Sequence, residues 1–460
     1  MKPYFLIIAL AGSGAAYGSE LEATSTQLTT SPASSDLNAI RQQIDQMRAE
    51  YEARLQHLEQ RLAHAEQQAA KSEQLQEELE ETVEELTLSP ADSQTGSRPS
   101  DFNPSIGVVM VGTAQRIGSS VDGFEIPGFA LGEETGLGEE GFAIGESDFT
   151  LTGSIDDKFY GSMTLAVTKD EGVILEEAYL QTLSLGGGFT IKAGRFFSSI
   201  GYMNEKHLHT DDFSGRPLPY RAMLGNQYGD DGLQLSWLAP TDIYWQLDME
   251  LFRGDEFPAG GATHRGMGSW ALSSHWGGDI GDSHSWQTGL SFLNADVDER
   301  PTGEETEELF TGDSQLTIAD VIYKWAPGGN ANKQSLKLQA EYFWRQEDGA
   351  FTSFDDNRLA YDSDQNGWYV EGVYKFMPKW RIGLRHSQVD ADSLGAAFVN
   401  TSLNRQSHRP QQNSLMLDWT NSEFSRIRLQ YNRDKSMPEA VDIWTLQYIM
   451  SLGAHAAHSY

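Results

Sequence analysis

The densest group of ligand-type side chains in the chain is His207-Leu208-His209-Thr210-Asp211-Asp212. Two imidazoles and two carboxylates at His207, His209, Asp211 and Asp212 offer nitrogen and oxygen donors suited to a borderline divalent cation such as Zn²⁺. The spacing matches no strict ligand motif, so solvated polar side chains would read the same way. Inside a channel, weak coordination would make a transient station for a passing ion, because conduction requires release. A sparser pair, His455 and His458, lies near the end of the chain.

Charged residues at strand-like spacing form a second set. Arg381 and Arg385 share one segment, and Arg426 and Arg428 share another. Glu146, Asp148, Glu177, Asp248 and Glu250 hold polar positions earlier in the chain, and Arg195 precedes the histidine segment. If these residues line a lumen, a basic wall opposite an acidic one sets up a transverse field that orients solutes. The alternative is internal salt bridging that steadies the structure. No G-x-S-x-G, H-E-x-x-H or Walker sequence is present, and the Gly-rich GLGEEGFAIGESD does not open a helix. A non-enzymatic role is expected.

The histidine segment must be positioned by its flanks. The stretch from Phe189 to Gly232 begins as an alternating strand, turns at Gly194-Arg195, and runs through a polar segment, 197–231. It re-enters a strand at LQLSWL. A connection of about 35 residues in a compact domain is expected to be functional. From Ser105 onward the apolar period is two, and sixteen candidate strands follow up to residue 450. In 243–253, Trp245, Leu247, Met249 and Leu251 alternate with Gln246, Asp248 and Glu250. In 425–433, Ile427, Leu429 and Tyr431 alternate with Arg426, Arg428 and Gln430. One face suits lipid and the other a watery lumen.

Connections alternate between short turns such as Asp156-Asp157-Lys158 and long polar segments. On the other side they are mostly long, 117–141, 197–231, 254–268, 295–313, 347–365 and 389–410, with only 169–172 and 434–440 brief. Short periplasmic turns and long outer loops distinguish a transmembrane barrel. The fold class expected is therefore all-β: a 16-stranded antiparallel transmembrane β-barrel over 104–460, with 197–231 as its third outer loop.

The 460 residues carry 67 acidic against 33 basic side chains, a formal charge of −34, which excludes a nucleic-acid partner. With no cysteine, thiolate metal sites and disulfides are excluded. Residues 1–18 read as a signal peptide, with Lys2, an apolar run and Ala16-Tyr17-Gly18. Residues 19–35 read as a flexible leader and 89–103 as a linker. Between them, 36–88 carries Leu37, Ile40, Ile44, Met47, Tyr51, Leu55, Leu58 and Leu62 at steps of three and four. That spacing fits an N-terminal α-helical coiled coil, most simply one that joins three protomers in the periplasm.

Further segments carry a resemblance: DFNPSIGVVMVG, IDDKFYGSMTLAV, LEEAYLQTL, TIKAGRFFSSIGYMN, QYGDDGLQLSWLAPTD, ELFRGDEFPAGG and QYIMSLGAHAAH. Over 101–460 they resemble a family of porin-like proteins labelled zinc-regulated or TonB-dependent outer-membrane receptors. The layout as a whole resembles the phosphate- and carbohydrate-selective porins. TonB-dependent barrels have about 22 strands around a plug, so the resemblance points to a TonB-independent member. It implies a trimeric outer-membrane channel for small hydrophilic solutes or ions, linked to zinc or other divalent-metal uptake, with outer-membrane lipid as its surroundings. Pore-lining roles would fall to Arg195, Arg381, Arg385, Arg426, Arg428, Glu177, Asp248 and Glu250. A receptor for a metal chelate and a coiled-coil envelope tether are the competing readings.

Overall fold

The computed structural model describes residues 104–118, 124–132, 135–168, 172–260, 266–301, 308–354 and 357–453. The signal peptide, leader, coiled coil, linker, His455 and His458 lie outside the described residues. No described helix is long and apolar enough to cross a membrane.

Seventeen β-segments form one closed sheet. They are β1 Ser105–Ile117, β2 Gly141–Ile144, β3 Ser147–Ser154, β4 Phe159–Thr168, β5 Gly172–Thr182, β6 Phe189–Phe197, β7 Gly229–Leu238, β8 Tyr244–Phe252 and β9 Ser269–Ile280. The series continues with β10 His284–Pro301, β11 Leu309–Trp325, β12 Ser335–Thr352, β13 Arg358–Met377, β14 Trp380–Ala391, β15 Gln411–Ser422, β16 Ser425–Lys435 and β17 Val441–Gly453. β2 and β3 both pair with β1 and are two pieces of one wall strand. They are separated at Gly145, whose N–H still donates to the Val111 carbonyl at 2.8 Å. The wall therefore has sixteen strands, each antiparallel to the next. β1 closes the ring against β17, with Gly107 opposite Gly453 and Ile117 opposite Ile443.

The two faces are those of a barrel turned inside out. Leu233, Met249, Leu272, Leu338, Val370, Leu384, Leu429 and Leu446 are exposed on the outer surface. The alternate positions Gln234, Asp248, Glu250, Gln339, Glu341, Arg385, Arg428 and Gln430 are buried inside. Water would penalise such an outer surface, whereas hydrocarbon rewards it; the closed ring leaves no unpaired edge for lipid to meet.

The strand ends differ from the sequence reading on one side. β10, β11, β12 and β13 run for 18, 17, 18 and 20 residues, against 8 to 13 for wall strands such as β3, β1 and β17. Most of 295–313 and 347–365, read as loops, is paired strand: Asp296 lies opposite Asp313 and Asp348 opposite Asp362. Their polar residues suggest loop, but Ala295, Val297, Phe310, Phe351 and Tyr361 at alternating positions form a buried apolar cluster with Phe398 and Leu403.

The lumen is not lined by polar residues alone. Leu293, Leu316, Ile318, Phe343, Tyr369 and Val389 point inward and pack with Ile200, Met203, Leu218, Tyr220 and Leu224 of the third loop. A helix, α1 Leu218–Leu224, is wholly buried in that cluster. Pro217 and Pro219 start it, and Gly225, at φ 59°, caps it in the left-handed conformation.

Candidate functional site

The third loop leaves β6 and turns into the barrel. At the turn its backbone is satisfied by wall side chains. The Ser199 N–H donates to Glu250 Oε1 at 2.8 Å, and the Ser198 hydroxyl donates to the other oxygen of the same carboxylate. The Gly201 N–H donates to Ser291 Oγ at 3.1 Å and the Tyr202 N–H to Glu341 Oε2 at 3.2 Å. Asn204 closes the loop on itself: its Nδ2 donates to the Ser198 and Tyr228 carbonyls at 2.8 and 2.7 Å, and its Oδ1 accepts from the Tyr228 N–H at 2.8 Å.

Beyond Asn204 the loop spans the lumen between walls of opposite charge. On the acidic side, His207 Nδ1 lies 3.2 Å from Glu176 Oε2, and His207 Nε2 lies 3.1 Å from Glu177 Oε2. His209 Nδ1 lies 2.7 Å from Asp148 Oδ2. The two rings stack with centroids 5.7 Å apart, and Phe197 meets His207 edge-on. Burial works against protonation of His207, but hydrogen bonds to Glu176 and Glu177 outweigh it and raise its pKa well above the ordinary imidazole value.

On the basic side, Asp212 Oδ1 accepts from Arg381 at 2.6 Å, and Asp212 Oδ2 lies 2.5 Å from Lys337 Nζ. Burial alone would raise the Asp212 pKa. Lys337 and Arg381 outweigh it and hold the carboxyl well below the usual carboxylate range. Arg426 donates to the His209 carbonyl at 2.6 Å, Arg385 to the Gly215 carbonyl at 2.9 Å, and Arg428 to the Asp211 carbonyl. Asp418 joins the basic strands from the wall itself, 3.1 Å from Arg428 Nε.

The four residues grouped as metal ligands by proximity in sequence are therefore separated. His207 and His209 face the acidic wall. Asp212 faces the basic wall, and Asp211 forms an ion pair with the loop's own Arg216 at 2.9 Å. A single ion held by all four is corrected by this geometry, because the carboxylates already have cationic partners.

Arg381, Arg385, Arg426 and Arg428 come together on β14 and β16, as their parity indicates, but they hold the loop. Glu250 likewise holds the loop's entry. Asp248, 2% exposed, accepts from Ser273 Oγ at 3.3 Å within the wall. Arg195 is a second correction. It lies opposite Ala178 and Asp231, on the outward parity shared with exposed Leu180 and Leu233. It pairs with Asp231 and Glu256, each at 3.0 Å, at the outer end of β6 rather than in the lumen.

Glu176 was not among the expected site residues. Strict alternation sends it to lipid if Glu177 faces the lumen. A β-bulge intervenes: Thr164 pairs with Glu177 but Leu165 pairs with Leu175, leaving Glu176 as the extra residue. The available signal was the Glu-Glu pair itself, since two adjacent carboxylates in a spanning strand cannot both turn inward without one.

An inside-out ring of sixteen antiparallel strands with its third outer loop laid across the lumen defines the outer-membrane porin type of barrel. No family model matches the chain. An "Uncharacterized protein" of Aquifex aeolicus (strain VF5) is 26% identical over 352 residues, 70% of this chain and 71% of that one. Among solved structures, the outer membrane channel DcaP of Acinetobacter baumannii is similar at a TM-score of 0.50 and 14% identity, over 78% of this chain and 100% of that one. Salmonella typhi OmpF, solved with daunomycin, is similar at 0.49 and 10% identity, over 78% and 100%.

Proposed function

We propose that the protein is an outer-membrane channel for passive passage of small hydrophilic solutes or ions, without catalytic activity. The observation that carries this reading is the third loop, strapped across a charged lumen by Asp212 on one side and His207 on the other. A loop fixed to both walls sets the bore, and the walls' opposite charges set the field that a permeating solute meets. The apolar belt supports a location in lipid. The heptad spacing of 36–88 supports a homotrimer joined by a periplasmic coiled coil. The resemblance to the zinc-regulated receptor family adds divalent-metal uptake as the specific cargo.

Planar-bilayer recording of the purified full chain tests the reading. Discrete conductance steps in salt are expected. A barrel that inserts but never conducts sinks the channel, and a current that opens only with a metal chelate favours the receptor. Removal of 36–88 should leave conductance per barrel intact while abolishing the trimer in native electrophoresis.

A further inference from the structure

We propose that Asp148, Glu176 and His207 form a binding site for a divalent cation of the Zn²⁺ class, at the junction between the inner loop and the wall. It deepens the metal-cargo part of the channel reading, but the site itself stands whether or not the barrel conducts.

The first support is geometric. One donor atom from each of the three residues lies within 4.8 Å of the others. Glu176 Oε2 is 3.2 Å and Asp148 Oδ2 is 3.7 Å from His207 Nδ1. Metal–ligand bonds of about 2.1 Å in a tetrahedron put neighbouring donors about 3.4 Å apart. Both separations from His207 Nδ1 come close to that spacing. His209 Nδ1 lies 2.7 Å from Asp148 Oδ2 but is not one of the three mutually close donors.

A second, independent observation is Asp148 itself. It is 2% exposed, and neither carboxylate oxygen accepts a hydrogen bond among the described residues. Its close approach to His209 lacks hydrogen-bond alignment. A buried carboxylate without aligned donors is costly, and a cation between it and His207 would satisfy it.

The third support is the second carboxylate on His207. With Nδ1 on a metal, the Nε2–H points at Glu177 Oε2, 3.1 Å away. A carboxylate behind the ligating imidazole fixes the tautomer and raises its basicity, the arrangement common at zinc sites. The β-bulge makes this possible, because it places one glutamate in the ligand position and its neighbour behind the ring.

A cluster held by protons alone is the competing state. Two protonated imidazoles offset as much charge as one dication with neutral rings, so charge does not decide, and binding must be measured. The full chain, purified in detergent and stripped with a chelator, is titrated with Co²⁺ as the spectroscopic probe. One saturable equivalent per chain is expected, with visible ligand-field absorption that Zn²⁺ abolishes by displacement. Glu176→Gln and His207→Ala should each weaken binding at least ~100-fold and Glu177→Gln ~10-fold, while Arg195→Gln leaves it unchanged.

Heat-modifiable electrophoresis establishes that each variant has folded, and Glu176→Gln decides if His207→Ala does not. Absence of saturable binding by the parent overturns the site. So does binding unchanged in folded Glu176→Gln, or binding lost only when His455 and His458 are replaced. Conductance of the same preparation is recorded separately, so failure of the site and failure of the channel are distinguishable.

Discussion

Arg381 and Asp212 meet at 2.6 Å, although one belongs to a wall strand and the other to the loop that crosses the lumen. Lys337 reaches the same carboxylate from β12, so a single side chain joins the loop to two strands. The arginines on β14 and β16 therefore position the constriction before they act on any solute.

Replacing Asp212 by Asn should loosen that anchor. Charge-assisted hydrogen bonds of this kind contribute about 1.5–3 kcal/mol. The expected outcome is larger or noisier single-channel conductance and faster proteolysis within 198–228. Unchanged conductance and protease resistance would mean that α1 alone docks the loop.

The pH dependence follows from the sign of the Asp212 shift. Its pKa is depressed in the folded state, so the stabilisation is fully present above the unfolded value of about 3.9. It is lost progressively as pH falls from there towards the lower folded value. Protease resistance of the loop should therefore persist from pH 7 to about pH 4.5 as far as this anchor governs it. Asp212→Asn should lower that resistance across the whole range, because the anchor is then weakened at every pH.

Gly201 has φ 64°, and an added Cβ would sit 2.6 Å from Glu341 Oε2 and 2.7 Å from the Tyr220 hydroxyl. Gly201→Ala thus combines a left-handed backbone cost of about 1–2 kcal/mol with a clash. It also disturbs the bond of 3.0 Å from the Tyr220 hydroxyl to Glu341. A folded barrel with a displaced loop is expected, visible as normal heat-modifiability but altered conductance.

Arg195 provides the opposite test. Because it faces outward at the rim, Arg195→Gln should leave the reversal potential in a salt gradient unchanged, whereas Arg381→Gln should shift it toward cations. A shift of similar size from Arg195→Gln would place that side chain in the ion path.

Leu384 is 63% exposed on the outer face of β14. Leu384→Arg puts a charge in the apolar belt at a cost of up to about 4 kcal/mol. Folding into liposomes should fall accordingly, while Leu384→Val stays near the parent.

The strand count was readable from sequence because a lipid face and a lumen face impose period two on every crossing. The inner loop was readable from its length and its place as third outer connection. The grouping of His207, His209, Asp211 and Asp212 misled because neighbours in sequence are not neighbours in the lumen. A segment spanning it presents its ends to different walls. Lys337, Asp418 and Glu341 were invisible as partners because each is one polar residue among many on the inner face, and only closure of the ring sets which meets the loop. The apolar inward patch at Leu316, Ile318 and Phe343 broke strict alternation, and it is the seat for α1.

The bulge in β5 gives that strand two phases. Before it in the chain Val173 and Leu175 face outward, so odd-numbered residues touch lipid; after it Leu180 does, so even-numbered ones do. Glu176 is the phase shift. Deleting it, unlike deleting a residue elsewhere in the strand, would restore continuous alternation and leave every remaining side chain on its present face. The wall can thus lose this carboxylate by a single-codon excision and keep its registration with lipid, while a substitution there leaves the extra backbone residue in place.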